Sequence, residues 1–158
     1  MRSLRTLSLP ENDESMTAVL ADELLRLPVR VRGIDVGKAV DLLVDPLGRR
    51  VLGLDVLCRD GSHRFLPLSA AEIADGTITT GSALTLLAED QLDFYRKRAT
   101  TLRALRGLPV QLHGTKVGLL TDIVLTHDGA ITELVVSNGR KRERYPVEDA
   151  LRISATAA

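Results

Sequence analysis

The sequence is poor in aromatic residues and in cysteine, and it has no tryptophan. Aromatic side chains make up only 3% of the 158 residues, so stacking platforms for nucleic-acid bases are not predicted. The single cysteine, Cys58, cannot form a disulfide within the chain, which is compatible with a reducing compartment. The core must therefore be built mainly from Leu, Val and Ile.

Long apolar runs and an excess of either charge are also missing. No apolar run approaches the roughly 18 residues that a membrane-spanning helix needs. Residues 1–10 lack the continuous apolar segment of a secretory signal. The 21 basic and 21 acidic residues cancel, so uniform attraction to nucleic acid or to an anionic membrane is not predicted. We expect a cytoplasmic protein that does not insert into membranes.

What the chain does have is enough apolar material for a packed core. Hydrophobic residues make up 44% of the sequence, and its length allows one compact domain or two small ones. The charge is unevenly placed, because residues 11–23 are acidic whereas residues 96–106 and 140–144 are basic. Local charge, rather than net charge, is therefore the feature to follow.

The chain repeats itself at a spacing of about 80 residues. Residues 27–41 and 108–122 share the pattern L-P-V-x-[VL]-x-G-x-x-V-G-x-x-x-D. The matched positions are a proline, turn glycines and apolar residues typical of strands, and positions suited to enzyme chemistry do not match. A repeat that keeps its scaffold and varies its surface favours a binding architecture over an active site.

The offset between the two copies falls along the chain from 81 to 80 to 79 residues. Two deletions of one residue each, placed in turns, account for this drift, since turns tolerate changes of length and strands do not. The pairs that define the drift are Pro28 with Pro109, Leu54 with Leu134, and Pro67 with Pro146.

Alternation of apolar and polar residues predicts short strands in both copies. The predicted strands are Val29–Arg32, Val36–Asp45, Val51–Cys58, His63–Leu68 and Ile78–Leu87 in the first copy, and Val110–Leu112, Val117–Thr126, Ile131–Ser137, Arg142–Pro146 and Arg152–Ala155 in the second. Asp60-Gly61 and Asn138-Gly139 are hairpin signals. Asp55 is out of phase with its apolar neighbours and is expected to face water.

With the strands placed, the chain resembles the PRC-barrel family of small β-barrels. The family is named from the cytoplasmic part of the photosynthetic reaction-centre H subunit, and it also forms the C-terminal domain of a bacterial ribosome-maturation factor. The residues that carry the resemblance are Gly33, Val36, Gly37, Asp41, Asp45, Gly48, Leu66 and Pro67 in the first copy, and Gly114, Val117, Gly118, Asp122, Gly129 and Pro146 in the second. The resemblance implies a non-catalytic adaptor that docks onto partner proteins and uses no cofactor.

The predicted organisation is mainly β, with two PRC-type barrels joined by a short α-helix. Residues 1–22 are predicted to be a flexible segment, 23–87 the first barrel, 88–106 a linker helix and 107–156 the second barrel. The repeat begins only after Met16, which leaves Met16 open as the natural start. Units of this size have marginal cores, so we expect the barrels to pack on each other, on the helix or in a homodimer, and to melt in one transition.

Few side chains suggest chemistry. Asp41 and Asp122 recur in both copies and could serve a metal or act as bases, but backbone N–H acceptance at a strand bend is favoured, because no further ligand stands at suitable spacing. The glycine pairs Gly33/Gly37 and Gly114/Gly118 are predicted to lie in turns that require a positive φ, and not to form a phosphate-binding loop.

The histidines and the cysteine are likewise given structural roles. His63, His113 and His127 have no ligand spacing and are expected at exposed edges or turns. Cys58 alternates with Leu54 and Val56, which predicts a core position. No catalytic, metal-binding or cofactor-binding residue is predicted, and the protein is expected not to be an enzyme.

The hairpin Gly139–Tyr145 is the best candidate for a functional surface, because four of its five charges are positive. Docking of a partner protein through the barrel surface or this hairpin is the leading hypothesis, and contact of the hairpin with RNA or the ribosome is the alternative. A solvated hairpin whose charges prevent aggregation is the structural alternative. The candidate partner-binding residues are Arg140, Lys141, Arg142, Arg144 and Tyr145.

Overall fold

The computed structural model describes residues 18–45 and 49–154, which form a mainly β fold. Two sheets make up this fold, one of them curled into a half-barrel, and only a few short helices accompany them. The mainly β fold class predicted from the sequence is confirmed. Its finer form, two PRC-type barrels, stays a prediction.

Most predicted strands are present in the predicted order, but the predicted strand Ile78–Leu87 ends at Thr80, and the short strands Ala18–Leu20, Glu72–Ala74 and Thr100–Thr101 were not predicted. In chain order the elements are β1 (Ala18–Leu20), α1 (Ala21–Leu24), β2 (Pro28–Val31), β3 (Ile34–Val44), β4 (Val51–Cys58), β5 (His63–Pro67), β6 (Glu72–Ala74), β7 (Thr77–Thr80), α2 (Glu89–Arg98), β8 (Thr100–Thr101), α3 (Leu102–Leu105), β9 (Pro109–Leu112), β10 (Thr115–Thr126), β11 (Ile131–Asn138), β12 (Lys141–Pro146) and β13 (Leu151–Ile153). The first sheet has the order β5-β4-β3-β2-β7-β6, with β8 beside β3. The second has the order β12-β11-β10-β9-β13, with β1 beside β10.

The repeat in the sequence is also a repeat in strand register. In the first sheet Leu42 lies opposite Leu54, which in turn lies opposite Leu66, and all three are fully buried. Their counterparts in the second sheet are the row Ile123, Leu134 and Tyr145. Because the drift in offset is reproduced by the hydrogen-bonded register, strands β2 to β5 and β9 to β12 share one arrangement. The sheets differ at the next strand, since β7 pairs parallel with β2 whereas β13 pairs antiparallel with β9.

The strand that precedes each copy, which we call its leading segment, joins the sheet of the other copy. β1 pairs with β10, matching Leu20 to Val124, and β8 pairs with β3, matching Thr101 to Leu43. These two pairings are equivalent under the repeat, so a pseudo-twofold axis relates them. Near that axis the copies also meet directly, through a bridge between Arg50 and Ala130.

This exchange changes two of the predicted segments. Residues 1–17, including Met16, lie outside the described residues, but Ala18–Leu20, assigned to the flexible segment, form a strand. The predicted linker helix over 88–106 is wrong in extent, because β8 interrupts it after Ala99. The β-branched Thr100 and Thr101 favour extended backbone, and the Thr101 hydroxyl accepts the Ala104 N–H and begins a new helix.

One hydrophobic core runs through both copies. Leu24 of α1 and Leu102 of α3 are fully buried in it, together with residues of both sheets. A smaller cluster lies outside the first sheet, where Leu92 of α2 packs against Leu43 and Phe65. A core shared in this way favours unfolding in one cooperative step.

The glycines of the repeat serve two different purposes. Gly33 and Gly114 occupy hairpin turns with φ of +82° and +80°, as predicted. Gly37 does not have a positive φ, and a Cβ at this position would overlap the backbone of Leu57. A Cβ at Gly118 would likewise overlap the carbonyl oxygen of Ser137. The predicted turn role is therefore wrong for Gly37, where a close approach of strands requires glycine.

Candidate functional site

The recurrent aspartates hold the exchanged segments in place. Asp41 accepts the N–H groups of Leu42 and Arg103, at 2.9 and 3.2 Å. Asp122 makes the equivalent bonds to the N–H groups of Ile123 and Asp22, also at 2.9 and 3.2 Å. In each case one donor is a neighbour at a strand bulge and the other belongs to a helix of the other copy. Backbone N–H acceptance, the favoured interpretation of both residues, is confirmed.

Burial raises the pKa of two candidate side chains, Asp122 and Cys58. It raises the pKa of Asp122 above its ordinary value, although the N–H groups of Ile123 and Asp22 and the nearby Arg106 act in the opposite direction. Burial also raises the pKa of the Cys58 thiol, which is partly buried and packs against the main core instead of lying within it. Among the described residues no three His, Cys, Asp or Glu side chains are grouped so as to hold a metal ion.

The outer face of the first sheet is covered by α2. Tyr95 stacks on Phe65 with ring centroids 4.3 Å apart, and Leu92 is fully buried beside them. Asp55, expected to face water, is only 5% exposed and accepts bonds of 2.8 Å from Arg96 and His63. That expectation is wrong because the outward face of β4 lies beneath a helix.

The buried Asp55 gives a prediction for stability. Asp55→Ala should lower the free energy of unfolding by about 2 kcal/mol, because it removes charge-assisted hydrogen bonds that anchor α2. Asp149→Ala is the matched control, since its bond to Arg49 joins exposed side chains and should contribute about 0.5 kcal/mol or less. Urea unfolding measures both, and hydrogen exchange should accelerate in α2 of Asp55→Ala alone. Equal losses in the two variants would contradict the anchoring role.

The outer face of the second sheet carries exposed arginines. On β12, Arg142 donates to the Thr121 hydroxyl at 3.4 Å, and Arg144 lies 3.5 Å from Glu133. Arg106, which follows α3, donates to the Thr121 carbonyl at 3.1 Å. We call the outer surface of β10, β11 and β12, with these three arginines, the basic face.

The predicted hairpin residues divide between surfaces. Arg142 and Arg144 share the basic face, whereas Lys141 projects to the opposite side of β12 by strand alternation. Arg140 lies in the turn, which consists of Gly139 and Arg140 because Asn138 still pairs with Lys141. Tyr145 is half-buried and packs against the main core, so it is not part of the exposed surface.

Two members of this surface were not among the predicted site residues. Arg106 was assigned to the end of the linker helix, and only the packing of α3 brings it beside Thr121. Leu119 is 40% exposed on β10, opposite Ser137, which in turn lies opposite Arg142. Its exposure in an apolar strand carries no distinct sequence signal, since alternation alone does not say which face is covered.

The strand edges beside the two outer faces also differ. On β5, Phe65 exchanges both backbone hydrogen bonds with Leu87, at 3.0 and 2.8 Å, just before α2 begins. The equivalent strand β12 ends the order of the second sheet, and no described segment pairs with its outer edge. Within residues 18–45 and 49–154, the basic face therefore adjoins an unpaired strand edge of the kind that other segments can join.

No helix of the described residues is long and apolar enough to cross a membrane.

Comparison with models of known protein families, and with curated proteins, finds no match to this chain. The features that point to a function are therefore the geometry of the basic face and its contrast with the covered face of the first sheet.

Proposed function

We propose that this chain is a non-catalytic, cytoplasmic interaction protein of two PRC-type units, and that its basic face docks an acidic segment of a partner protein. The observation that carries the proposal is the contrast between equivalent faces. The first sheet's outer face is sealed by α2, whereas the second sheet's outer face exposes arginines and the apolar Leu119. An exposed apolar residue beside guanidinium groups suits a protein partner with acidic side chains.

The local charge balance favours a protein over a nucleic acid. Arg144 is paired with Glu133, and Arg106 lies 3.6 Å from Asp122 and 3.9 Å from Asp22. Carboxylates interleaved with arginines weaken attraction to a continuous line of phosphates, whereas they fit a partner that presents charges at a few defined points.

The test is affinity capture from extract of the native cells, followed by rebinding of each purified candidate. Arg142→Glu with Arg144→Glu should weaken binding of the true partner at least tenfold, because both reversed charges would face its acidic segment. Arg30→Glu with Arg152→Glu is the matched control, since these exposed arginines lie away from the basic face. A partner bound equally well by both variants would refute this docking face.

Binding to RNA or the ribosome is the second candidate, favoured by the cationic side chains on the exposed hairpin. Arg140→Glu with Arg142→Glu should abolish RNA binding if this function is correct, and the affinity of the wild type should fall steeply with salt. Filter binding of RNA at several salt concentrations tests this second function directly, because phosphate contacts release counterions and give a steep dependence on salt. Absence of any salt-dependent RNA binding would eliminate the second candidate.

A further inference from the structure

The repeat relates not only the exchanged strands but also, by position in the sequence, the segments that precede them. The pairing of Thr100 with Val44 is equivalent to the pairing of Val19 with Leu125. Counting back from these anchors, α2 before β8 corresponds to residues 8–17 before β1. The chain thus places one segment ahead of each exchanged strand, and α2 covers the outer face of the sheet that its strand joins.

The two faces and the two segments differ in matching ways. In the first sheet Tyr95 stacks on Phe65. The equivalent position of Phe65 in the second sheet is Arg144, since Phe65 lies opposite Asp55 and Arg144 lies opposite Val135. The residue equivalent to Tyr95 is Glu14. An aromatic pair in one copy therefore corresponds to a pair of opposite charges in the other.

A second pair of positions changes in the reverse direction. Arg96 binds Asp55 at 2.8 Å in the first sheet, and the counterparts of these residues are Ser15 and Val135. Here an ion pair corresponds to two uncharged residues. At both positions the face and the segment change together, which is expected if the segment lies on the face and is not expected of unrelated surfaces.

Charge and chain length support the same arrangement. Residues 8–17 contain Glu11, Asp13 and Glu14 and no basic residue, opposite a face that carries Arg142 and Arg144. In the first copy, residues 88–99 lie between the bridge at Leu87 and the strand that starts at Thr100, and this length is sufficient for α2 to cover the outer face. Ala18 is preceded by 17 residues, so a segment as long as residues 88–99 is available before β1.

We propose that residues 8–17 are an intramolecular occupant of the basic face, with Glu14 placed against Arg144. The α2 segment of a second copy fits less well, because its Arg96 would meet Arg142 and Arg144 without a counterpart of Asp55. If the proposed docking function is also correct, on which this last step rests, the acidic segment is autoinhibitory, and a partner binds by displacing it.

The test is a proximity measurement that leaves every proposed charge pair intact. In a Cys58→Ser background, Ser15→Cys is combined with Ser137→Cys on the basic face, or with Ser62→Cys in the first copy as the matched control. Under mild oxidant in dilute protein, the disulfide between positions 15 and 137 should form at least tenfold faster than the control disulfide. Equal rates would overturn the proposal, as would a disulfide found only between two copies.

Charge reversal then shows whether the contact is specific. Adding Glu11→Lys with Glu14→Lys should slow the 15–137 disulfide at least tenfold, and further addition of Arg142→Glu with Arg144→Glu should restore the rate. Circular dichroism confirms that every variant is folded. A disulfide rate that is unchanged by both charge reversals would mean that the charge pairs do not hold residues 8–17 on the basic face, and would overturn the proposal.

The outcome can be separated from that of the proposed function. The disulfide rates are measured without any partner, so they can support the intramolecular contact even if no partner binds. Conversely, a purified partner that binds Glu11→Lys/Glu14→Lys no more tightly than the wild type would support docking while refuting autoinhibition. At least tenfold tighter binding to the variant is the expected result.

Discussion

Leu24→Ala and Leu102→Ala should each lower the free energy of unfolding by about 3 kcal/mol, and each should leave a single unfolding transition. Both side chains are fully buried in the core shared by the two copies, and truncation leaves a cavity among residues of both sheets. Leu24 belongs by sequence to the first copy, but α1 packs on β10 of the second. A destabilising substitution in either exchanged helix is therefore expected to lower the stability of both copies together.

Urea unfolding followed by circular dichroism measures this effect, and Leu84→Ala is the matched control. Leu84 is 87% exposed, so its truncation should change stability by about 0.5 kcal/mol or less. Two separate transitions in Leu24→Ala, with only one of them shifted, would show that the copies fold independently. That result would contradict both the shared core and the exchange of β1-α1 for β8-α3.

Gly37→Ala should destabilise the protein by about 3 kcal/mol, which is large for the addition of one methyl group. The new Cβ would overlap the carbonyl oxygen of Leu57 and press on the Cα of Cys58, and backbone atoms in the middle of a sheet cannot move aside cheaply. The strand pair β3-β4 supports the packing of both α2 and the main core. We therefore expect the loss to appear as a lower midpoint of global unfolding.

Gly81→Ala provides the matched control, because a Cβ there would meet no atom within 4 Å and the φ of Gly81 is not positive. It should be neutral or stabilise slightly, since alanine restricts the unfolded chain. Thermal unfolding of the two variants, side by side, measures the difference. Similar midpoints for Gly37→Ala and Gly81→Ala would mean that the close strand approach at Gly37 is not a constraint on the fold.

Local features of the fold were predictable from the sequence. The predicted strand Val51–Cys58 has the same bounds in the structure, and the Asp60-Gly61 hairpin joins β4 to β5. Even the drift of the repeat offset reappears in the pairing of Leu54 with Leu66 and of Leu134 with Tyr145. Alternation with a period of two residues is a property of each strand by itself, so it survives whatever the strand packs against.

Features that depend on a distant segment were not predictable. The sequence around Asp55 looks like an ordinary half-exposed strand, and only the docking of α2 buries this carboxylate beneath Arg96. The predicted linker helix failed at Thr100–Thr101 because those residues find a strand partner in β3. Of the candidate surface, the sequence identified Arg142 and Arg144, but it also included Tyr145, whose ring turns towards the core.

The sequence by itself determined the longer strands, the hairpin turns and the fact that they occur twice, because alternation and positive-φ glycines act over a few neighbouring residues. Only the tertiary structure decided which sheet each leading segment joins and which outer face is covered. Those outcomes depend on pairings between residues far apart along the chain, such as Leu20 with Val124 and Thr101 with Leu43. The same pairings leave Arg142 and Arg144 exposed where the first copy carries a helix.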